Sequence, residues 1–439
     1  MDEIKTNKAI IVGVCSSKTE ETLFNYEMKE LESLAECWTW SDNNEVKTVV
    51  VKSIVQYLDN PSKATYVGKG KLIEIAEEAS ILEADVVIFN DELSPSTLSN
   101  IADVVECEII DRTMLILDIF KTRAKTKEAR LQVALAERNY MLPRLVGARK
   151  NLSRIGGTGG GAGATRGSGE TKLELDHRKI ENEIYKIKQE LSEIVKSRQT
   201  TRTLRKKQNV PVVAVVGYTN AGKSTTINSI LKKYGLAAED KSVFVKDMLF
   251  ATLETASRGI KLENNHEFLI TDTVGFVQKL PHHLVESFKS TLEEIKEASL
   301  IVHIIDSSSP YLEYQIKTTI DVLNNLGCSS IPMVYVYNKH DLVVNDILLP
   351  KNYKPLLYLS NKTSEGIDGL VEYIDQALYP SNRKVEMLLP YTKGDIYNNL
   401  KEHATIHETE YTNDGIKVIV SLSEYLFNLY FDYINYEIK

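Results

Sequence analysis

The chain reads as a multidomain α/β protein: a small N-terminal α/β domain, a long antiparallel helical hairpin, a doubly wound α/β domain and a small C-terminal α+β domain. Three observations predict this. Its 439 residues exceed the ~250–300 over which a single core grows. Short apolar runs alternate with helical patterns over 1–112 and again over 209–380, as stacked strand–helix units require. Between them, residues 113–208 change character: rich in Leu, Ala, Lys and Arg, they hold eight glycines within the fourteen residues 156–169.

Within 1–112, Ala9–Val14, Thr48–Val51, Asp85–Phe89 and Glu108–Ile110 read as strands, and Leu23–Cys37 and Leu72–Leu82 as helices. Gly68-Lys69-Gly70 opens the second helix as a tight turn. In 113–208, Met114–Met141 lacks Gly and Pro and predicts one long helix, broken near Pro143. A second is expected over Thr171–Arg202, where Ile180, Ile184, Ile187, Leu191 and Ile194 alternate steps of four and three. That seam pairs helices, so the two form a hairpin with a glycine-rich tip. Glycine has no side chain to bury, and the tip carries Arg154 and Arg166 beside Arg144, Arg149, Lys150 and Lys172. Bare backbone flanked by arginines suits phosphates and stacked bases; Arg149, Lys150, Arg154, Arg166, Gly167, Ser168 and Gly169 are the candidate RNA contacts. From 209 to 380, Pro211–Val216, Phe268–Ile270, Leu300–Ile305, Met333–Tyr337 and Leu356–Leu359 are the strands. The tail 381–439 reads as strand, helix, hairpin, helix, with the hairpin turning at Asn413-Asp414-Gly415.

Composition narrows the function classes. A hydrophobic fraction of 43% and a charged fraction of 26% are those of a folded protein, and no apolar run reaches membrane-span length. The start, Met1-Asp2-Glu3, suggests no secretory signal, and Cys15, Cys37, Cys107 and Cys328 are too scattered for a disulfide framework or a zinc knuckle. A reducing cytoplasm fits. The net charge is −8, but residues 121–210 hold 22 Lys+Arg against 9 Asp+Glu, +13 locally, leaving −21 for the rest. Such asymmetry suits one segment facing a polyanion.

Gly217-Tyr218-Thr219-Asn220-Ala221-Gly222-Lys223-Ser224, followed by Thr225, matches the P-loop pattern, placed between an apolar strand and a helix. Backbone N–H groups cradle phosphates there. Lys223 is expected to reach the β and γ phosphates, and Ser224 to bind Mg²⁺. Asp272-Thr273-Val274-Gly275 follows the next strand. Asp272 is expected to hold Mg²⁺ and the Gly275 amide to sense the γ-phosphate. Asn338-Lys339-His340-Asp341 has the spacing at which an Asp accepts guanine's two N–H donors, selecting GTP over ATP. Ser360-Asn361-Lys362 supplies a backbone contact to the base. Thr252, within Phe250-Ala251-Thr252-Leu253-Glu254, is the candidate to complete the Mg²⁺ shell. Lys223, Thr252 and Gly275 are thus the expected catalytic groups. Phe276 stands where some GTPases carry a water-orienting Gln, so intrinsic hydrolysis is expected to be slow unless another group completes the site. Asn220 is a candidate K⁺ ligand.

These strings together resemble the HflX GTPases over nearly the whole chain. The resemblance includes Gly217–Thr225, Phe250–Glu254, Asp272–Phe276 with Leu280-Pro281-His282, and Asn338–Asp341. Outside that domain it includes Tyr66–Lys71, Asn90–Pro95, Asp111-Arg112-Thr113, Leu142–Leu145, Arg166–Thr171 and Leu389-Pro390-Tyr391. Ser168 departs from the family's usual Pro and Glu254 from Asp, the glycine run is longer than usual, and Asn361 stands where guanine-nucleotide domains usually have Ala. The resemblance implies a GTPase that binds the large ribosomal subunit in its GTP form, sets its hairpin near the peptidyl-transferase region, splits stalled or idle ribosomes and leaves after hydrolysis. The alternative is a passive ribosome-binding or assembly factor gated by GTP. The expected protein is cytoplasmic and monomeric off the ribosome, with peripheral membrane attachment left open.

Overall fold

In the computed structural model, residues 6–16, 21–39, 46–147, 166–208, 210–235, 257–273, 275–279, 287–288, 294–343, 350, 352–379, 383–422 and 424–438 are described. The chain divides into two units. One spans Met1–Thr203 and includes Val274–Leu292, and the other holds the remaining two sheets.

The first unit begins with a four-stranded parallel sheet. Strands β1 (Thr6–Ser16), β2 (Lys47–Leu58), β3 (Val86–Phe89) and β4 (Glu108–Asp111) are ordered β2-β1-β3-β4. Residues Ala9 to Cys15 of β1 are buried, as expected of a strand covered on both faces. Helix α1 (Glu21–Cys37) lies so close that a Cβ on Gly13 would collide with Met28 Sδ. Helix α2 (Lys69–Ile81) starts behind Gly68, whose N–H donates to Gln56 Oε1 at 2.8 Å. A short helix α3 (Pro95–Ala102) lies beyond the sequence expectation: Ser94 accepts the Thr97 N–H at 3.1 Å and Pro95 opens the first turn.

The expected single helix over Met114–Met141 is two. Helix α4 (Arg112–Arg123), capped by Asp111, ends at Ala124, and α5 (Lys127–Gly147) follows. The break needs no Gly or Pro because Thr126 accepts the Ala129 N–H at 3.2 Å, and Arg130 Nε donates to the Ala124 carbonyl. Pro143 lies inside α5 rather than breaking it. The next residue, Arg144, donates to the carbonyls of Tyr140 and Leu93, stacks on the Tyr140 ring and pairs with Asp111, so tertiary contacts hold the turn that proline weakens.

Helix α6 runs from Arg166 to Gln208 and takes in Arg166 to Gly169, which the sequence assigns to the tip. Extending a helix that has already formed adds a hydrogen bond per residue, enough to offset glycine's ~1 kcal/mol penalty. Helices α5 and α6 run antiparallel, joined by Arg138–Glu183 at 2.7 Å and Lys127–Glu190 at 3.1 Å. The predicted seam faces inward: Ile184 is buried and Ile180, Ile187, Leu191 and Ile194 are half-buried.

The second unit holds a six-stranded sheet ordered β10-β9-β8-β5-β7-β6. Strands β5 (Val212–Gly217), β7 (Glu267–Asp272), β8 (Leu300–Asp306), β9 (Met333–Asn338) and β10 (Leu356–Tyr358) are parallel; β6 (Ser257–Lys261) is antiparallel at the edge. Helices α7 (Lys223–Tyr234), α8 (Leu312–Asn325) and α9 (Ile367–Leu378) pack on it. Strand order reverses beside β5, so the loop after β5 opens into the crevice at the carboxyl ends of the strands, where ligands of such sheets bind. The chain ends in an antiparallel sheet ordered β12-β13-β11-β14: β11 (Arg383–Leu389), β12 (Thr405–Thr412), β13 (Gly415–Leu422) and β14 (Ile434–Glu437), with helices α10 (Gly394–His403) and α11 (Glu424–Leu429). Strand β14 lies beyond the sequence expectation.

Candidate active site

Strand β5 delivers its last residue, Gly217, with φ +147°, and a Cβ there would collide with the Ile304 carbonyl oxygen. Gly222, φ +94°, turns the loop into α7, and a Cβ there would collide with Asn338 Nδ2. Both positions need glycine. Asn220 holds φ +59° without being glycine, a conformation Asn adopts more readily than most residues.

Lys223, the first residue of α7, is buried, and its ammonium donates to the carbonyls of Gly217 at 3.1 Å and Tyr218 at 2.8 Å. Burial pushes its pKa down to about 8, against the pull of Asp272. Neutral carbonyls compensate the desolvated charge poorly, so an anion in the loop would restore it. Ser224 donates its hydroxyl to Asp272 Oδ2 at 2.7 Å, and Asp272 is fully buried at the end of β7. A hydroxyl and a carboxylate meeting beside a phosphate loop are hard oxygen donors suited to Mg²⁺, and these residues fit that ion. The next residue, Thr273, donates its hydroxyl to the Val215 carbonyl at 2.7 Å, tying β7 to β5.

The residues expected to read the base come together at the ends of β9 and β10. Asn338 is buried; its Nδ2 donates to the Ala221 carbonyl at 2.7 Å, and its Oδ1 accepts the Asn361 N–H at 3.4 Å. Lys339, φ +58°, donates to Asp306 Oδ2 at 2.7 Å. Asp341 is exposed, and its Oδ1 accepts the Ser360 hydroxyl at 2.7 Å. Asn361 Nδ2 donates to Thr226 Oγ1 at 2.9 Å and the Gly222 carbonyl at 3.3 Å. Lys362 is exposed beyond them.

Sequence reasoning locates the three loops but not the ties between them. Asp306, which ends an apolar strand with a lone acid, braces Lys339. Ser360 orients the Asp341 carboxylate by its side chain, and Asn361 bonds through its backbone N–H and its side-chain amide. Gly275 and Phe276 are described, and Phe276 is buried at 3% exposure and offers no polar group. Phe250, Ala251, Thr252, Leu253, Glu254 and Val274 lie outside the described residues, as do Arg149, Lys150 and Arg154. Among the described residues, no helix is long and apolar enough to cross a membrane.

Models described as "GTP-binding GTPase N-terminal", "GTP-binding GTPase Middle Region" and "50S ribosome-binding GTPase" match residues 25–121, 123–205 and 212–339. The GTPase HflX of Caldanaerobacter subterraneus subsp. tengcongensis is 43% identical over 420 residues, covering 95% of this chain and 92% of that one. That of Escherichia coli K12 is 37% identical over 359 residues, covering 81% and 82%. A GTP-binding protein from Sulfolobus solfataricus, solved with GDP, is 22% identical at a TM-score of 0.42, covering 85% of this chain and 98% of that one. The curated relatives, matched over most of their length, make this chain a GTPase and a member of the HflX family.

Proposed function

We propose that this GTPase binds the large ribosomal subunit in its GTP form, dissociates stalled or idle ribosomes and leaves after hydrolysis. The single observation that carries this reading is the α5–α6 hairpin. Two antiparallel helices lie on either side of residues 148–165, and the segment 121–210 that contains all three holds +13 in a chain of net −8. A polyanion is the partner such a segment suits, and the "50S ribosome-binding GTPase" description of the matched family supports a ribosomal one. The tip, with Arg149, Lys150, Arg154 and the stretch from Arg166 to Gly169 that opens α6, is then the part that reaches RNA near the peptidyl-transferase region.

Hydrolysis is the release step. In this reading Ser224 and Asp272 would hold Mg²⁺, with Thr252 joining them, and the ion's chemistry there would be charge neutralisation at the phosphates. Lys223 leaves its two carbonyl partners for the phosphate oxygens, and the Gly275 N–H donates to a γ-phosphate oxygen. Asn220, already turned to φ +59°, is the candidate ligand for a K⁺ beside the phosphates. That ion would supply positive charge where Phe276 offers none. Hydrolysis at equal rates in KCl and NaCl would remove this role.

The test is sedimentation of ribosomes with full-length protein plus GTP, GDP or a non-hydrolysable analogue. Subunits separating with GTP or the analogue, and not with GDP, is the expected outcome. Binding that leaves ribosomes intact would favour the passive, GTP-gated factor instead.

A further inference from the structure

Among the described residues, two asparagine side chains join the base end of the site to its phosphate end. Asn338, on the Ala221 carbonyl, belongs to the motif expected to select guanine. Asn361 stands where such domains usually have Ala, whose methyl group donates nothing. Ser360 and Asn361 are consecutive, and their side chains serve opposite ends. The Ser360 hydroxyl donates to Asp341 Oδ1 at 2.7 Å. Asn361 Nδ2 donates to the Gly222 carbonyl at 3.3 Å and to Thr226 Oγ1 at 2.9 Å. Gly222 is the left-handed residue that turns the phosphate loop into α7, and Thr226 is a buried residue of that helix's first turn. The Thr226 N–H and hydroxyl each donate to the same Gly222 carbonyl at 2.9 Å. The fit is close, since a Cβ on Gly222 would stand 3.2 Å from Asn361 Nδ2. The backbone that carries both side chains is itself pinned: the Leu359 N–H donates to the Tyr337 carbonyl at 2.8 Å and the Ser360 N–H to the Glu365 carbonyl at 3.1 Å. One peptide unit thus separates the hold on the Asp341 carboxylate from the hold on the phosphate loop.

We infer that the Asn361 side chain makes the two halves of the nucleotide site cooperative: a base seated at the ends of β9 and β10 raises the loop's affinity for phosphate, and phosphate raises the affinity for the base. A base bonded to Asp341 fixes that carboxylate and, through Ser360, the backbone of residues 360 and 361. Asn361 then steadies Gly222, where the loop's N–H groups turn towards an anion. Freedom lost on filling one half is not lost again on filling the other, so the coupling needs no large movement. Linkage makes it reciprocal. The same bonds show that Asn361 can be truncated without harm to the fold. Its Oδ1 is buried without a hydrogen-bond partner among the described residues, and the Gly222 carbonyl keeps both Thr226 bonds in its absence. Asn361→Ala therefore strands no polar group.

This inference rests on the base and phosphate assignments above, and its test contains no ribosomes, so its failure leaves the ribosome reading standing. Full-length wild type, Asn361→Ala and Thr226→Val are titrated calorimetrically with pyrophosphate in magnesium buffer, alone, with guanosine and with adenosine. In the wild type, guanosine should tighten pyrophosphate binding about fivefold or more, a modest coupling between sites. In Asn361→Ala that factor should fall below about twofold. Thr226→Val, which removes the acceptor at near-equal volume, should lower it as well and decides the matter should Asn361→Ala fail to fold. A wild-type factor near one, or an undiminished factor in either variant, would overturn the inference. Adenosine tightening pyrophosphate as guanosine does, with the loss in Asn361→Ala intact, would overturn the Asp341 assignment and uphold the coupling.

Discussion

Asp341 sits exposed with one carboxylate oxygen held by Ser360, so the side chain is aimed before any base arrives. A carboxylate accepting two N–H donors makes charge-assisted bonds of about 1.5–3 kcal/mol each. Asp341→Asn replaces an acceptor by a donor on one side. It should cost GTP affinity roughly a hundredfold or more and move preference towards xanthine nucleotides, as titration with GDP and XDP would read. Unchanged GDP affinity would remove Asp341 from the base site. A second residue carries a pH signature. His303, on β8, is fully buried, and burial together with the nearby Lys223 charge pushes its imidazole down to about 3. In the unfolded chain the same group titrates near ~6.5. Between those values the unfolded state binds more protons, so this contribution to stability is lost as pH falls from about 6.5 and is constant above it. In urea unfolding at pH 7 and pH 5, the wild type should lose up to about 2 kcal/mol more than His303→Leu does. Equal losses would mean that His303 takes up its proton in the fold as readily as in the unfolded chain.

The break between α4 and α5 rests on two side chains, the Thr126 cap and Arg130 on the Ala124 carbonyl. Thr126→Ala should cost about 1 kcal/mol, the usual loss for an N-cap, read as a lower unfolding midpoint; no change would mean that Arg130 on the Ala124 carbonyl sets the break alone. This break also shows where the sequence stops being legible. The phosphate loop, the two other nucleotide motifs and the buried strands are readable because a glycine spacing or a continuous apolar run leaves few alternatives. The α5–α6 seam is readable from its own period. Ala124–Thr126 carries neither glycine nor proline, and a threonine cap looks like any helical threonine. Strand β6, with Ile260 its one buried residue, has too little apolar pattern to stand out, and β14 is defined by pairing with β11 rather than by its own residues. In the site, the spacing locates Asp341 and Asn338 but not their partners. Ser360 and Asp306 come from other strands, and only the fold decides that they meet.

Across the whole chain, charge is divided between a basic segment at +13 and a remainder at −21. Removing residues 156–169 should leave GTP binding unchanged, because the described ties of the nucleotide site lie between Val215 and Asn361. It should weaken ribosome association and lower its salt slope by about one unit for each phosphate that no longer meets a cation. Undiminished splitting by the shortened protein would separate the tip from the function. The nucleotide loops themselves are laced into one piece: Asn338 holds the Ala221 carbonyl, and Asn361 holds Gly222 and Thr226. A base that seats badly would therefore loosen the phosphate cradle as well as forgo its own hydrogen bonds. Fidelity would then be enforced twice, once when the nucleotide docks and again at turnover, so that an ill-matched triphosphate is both held weakly and cleaved slowly.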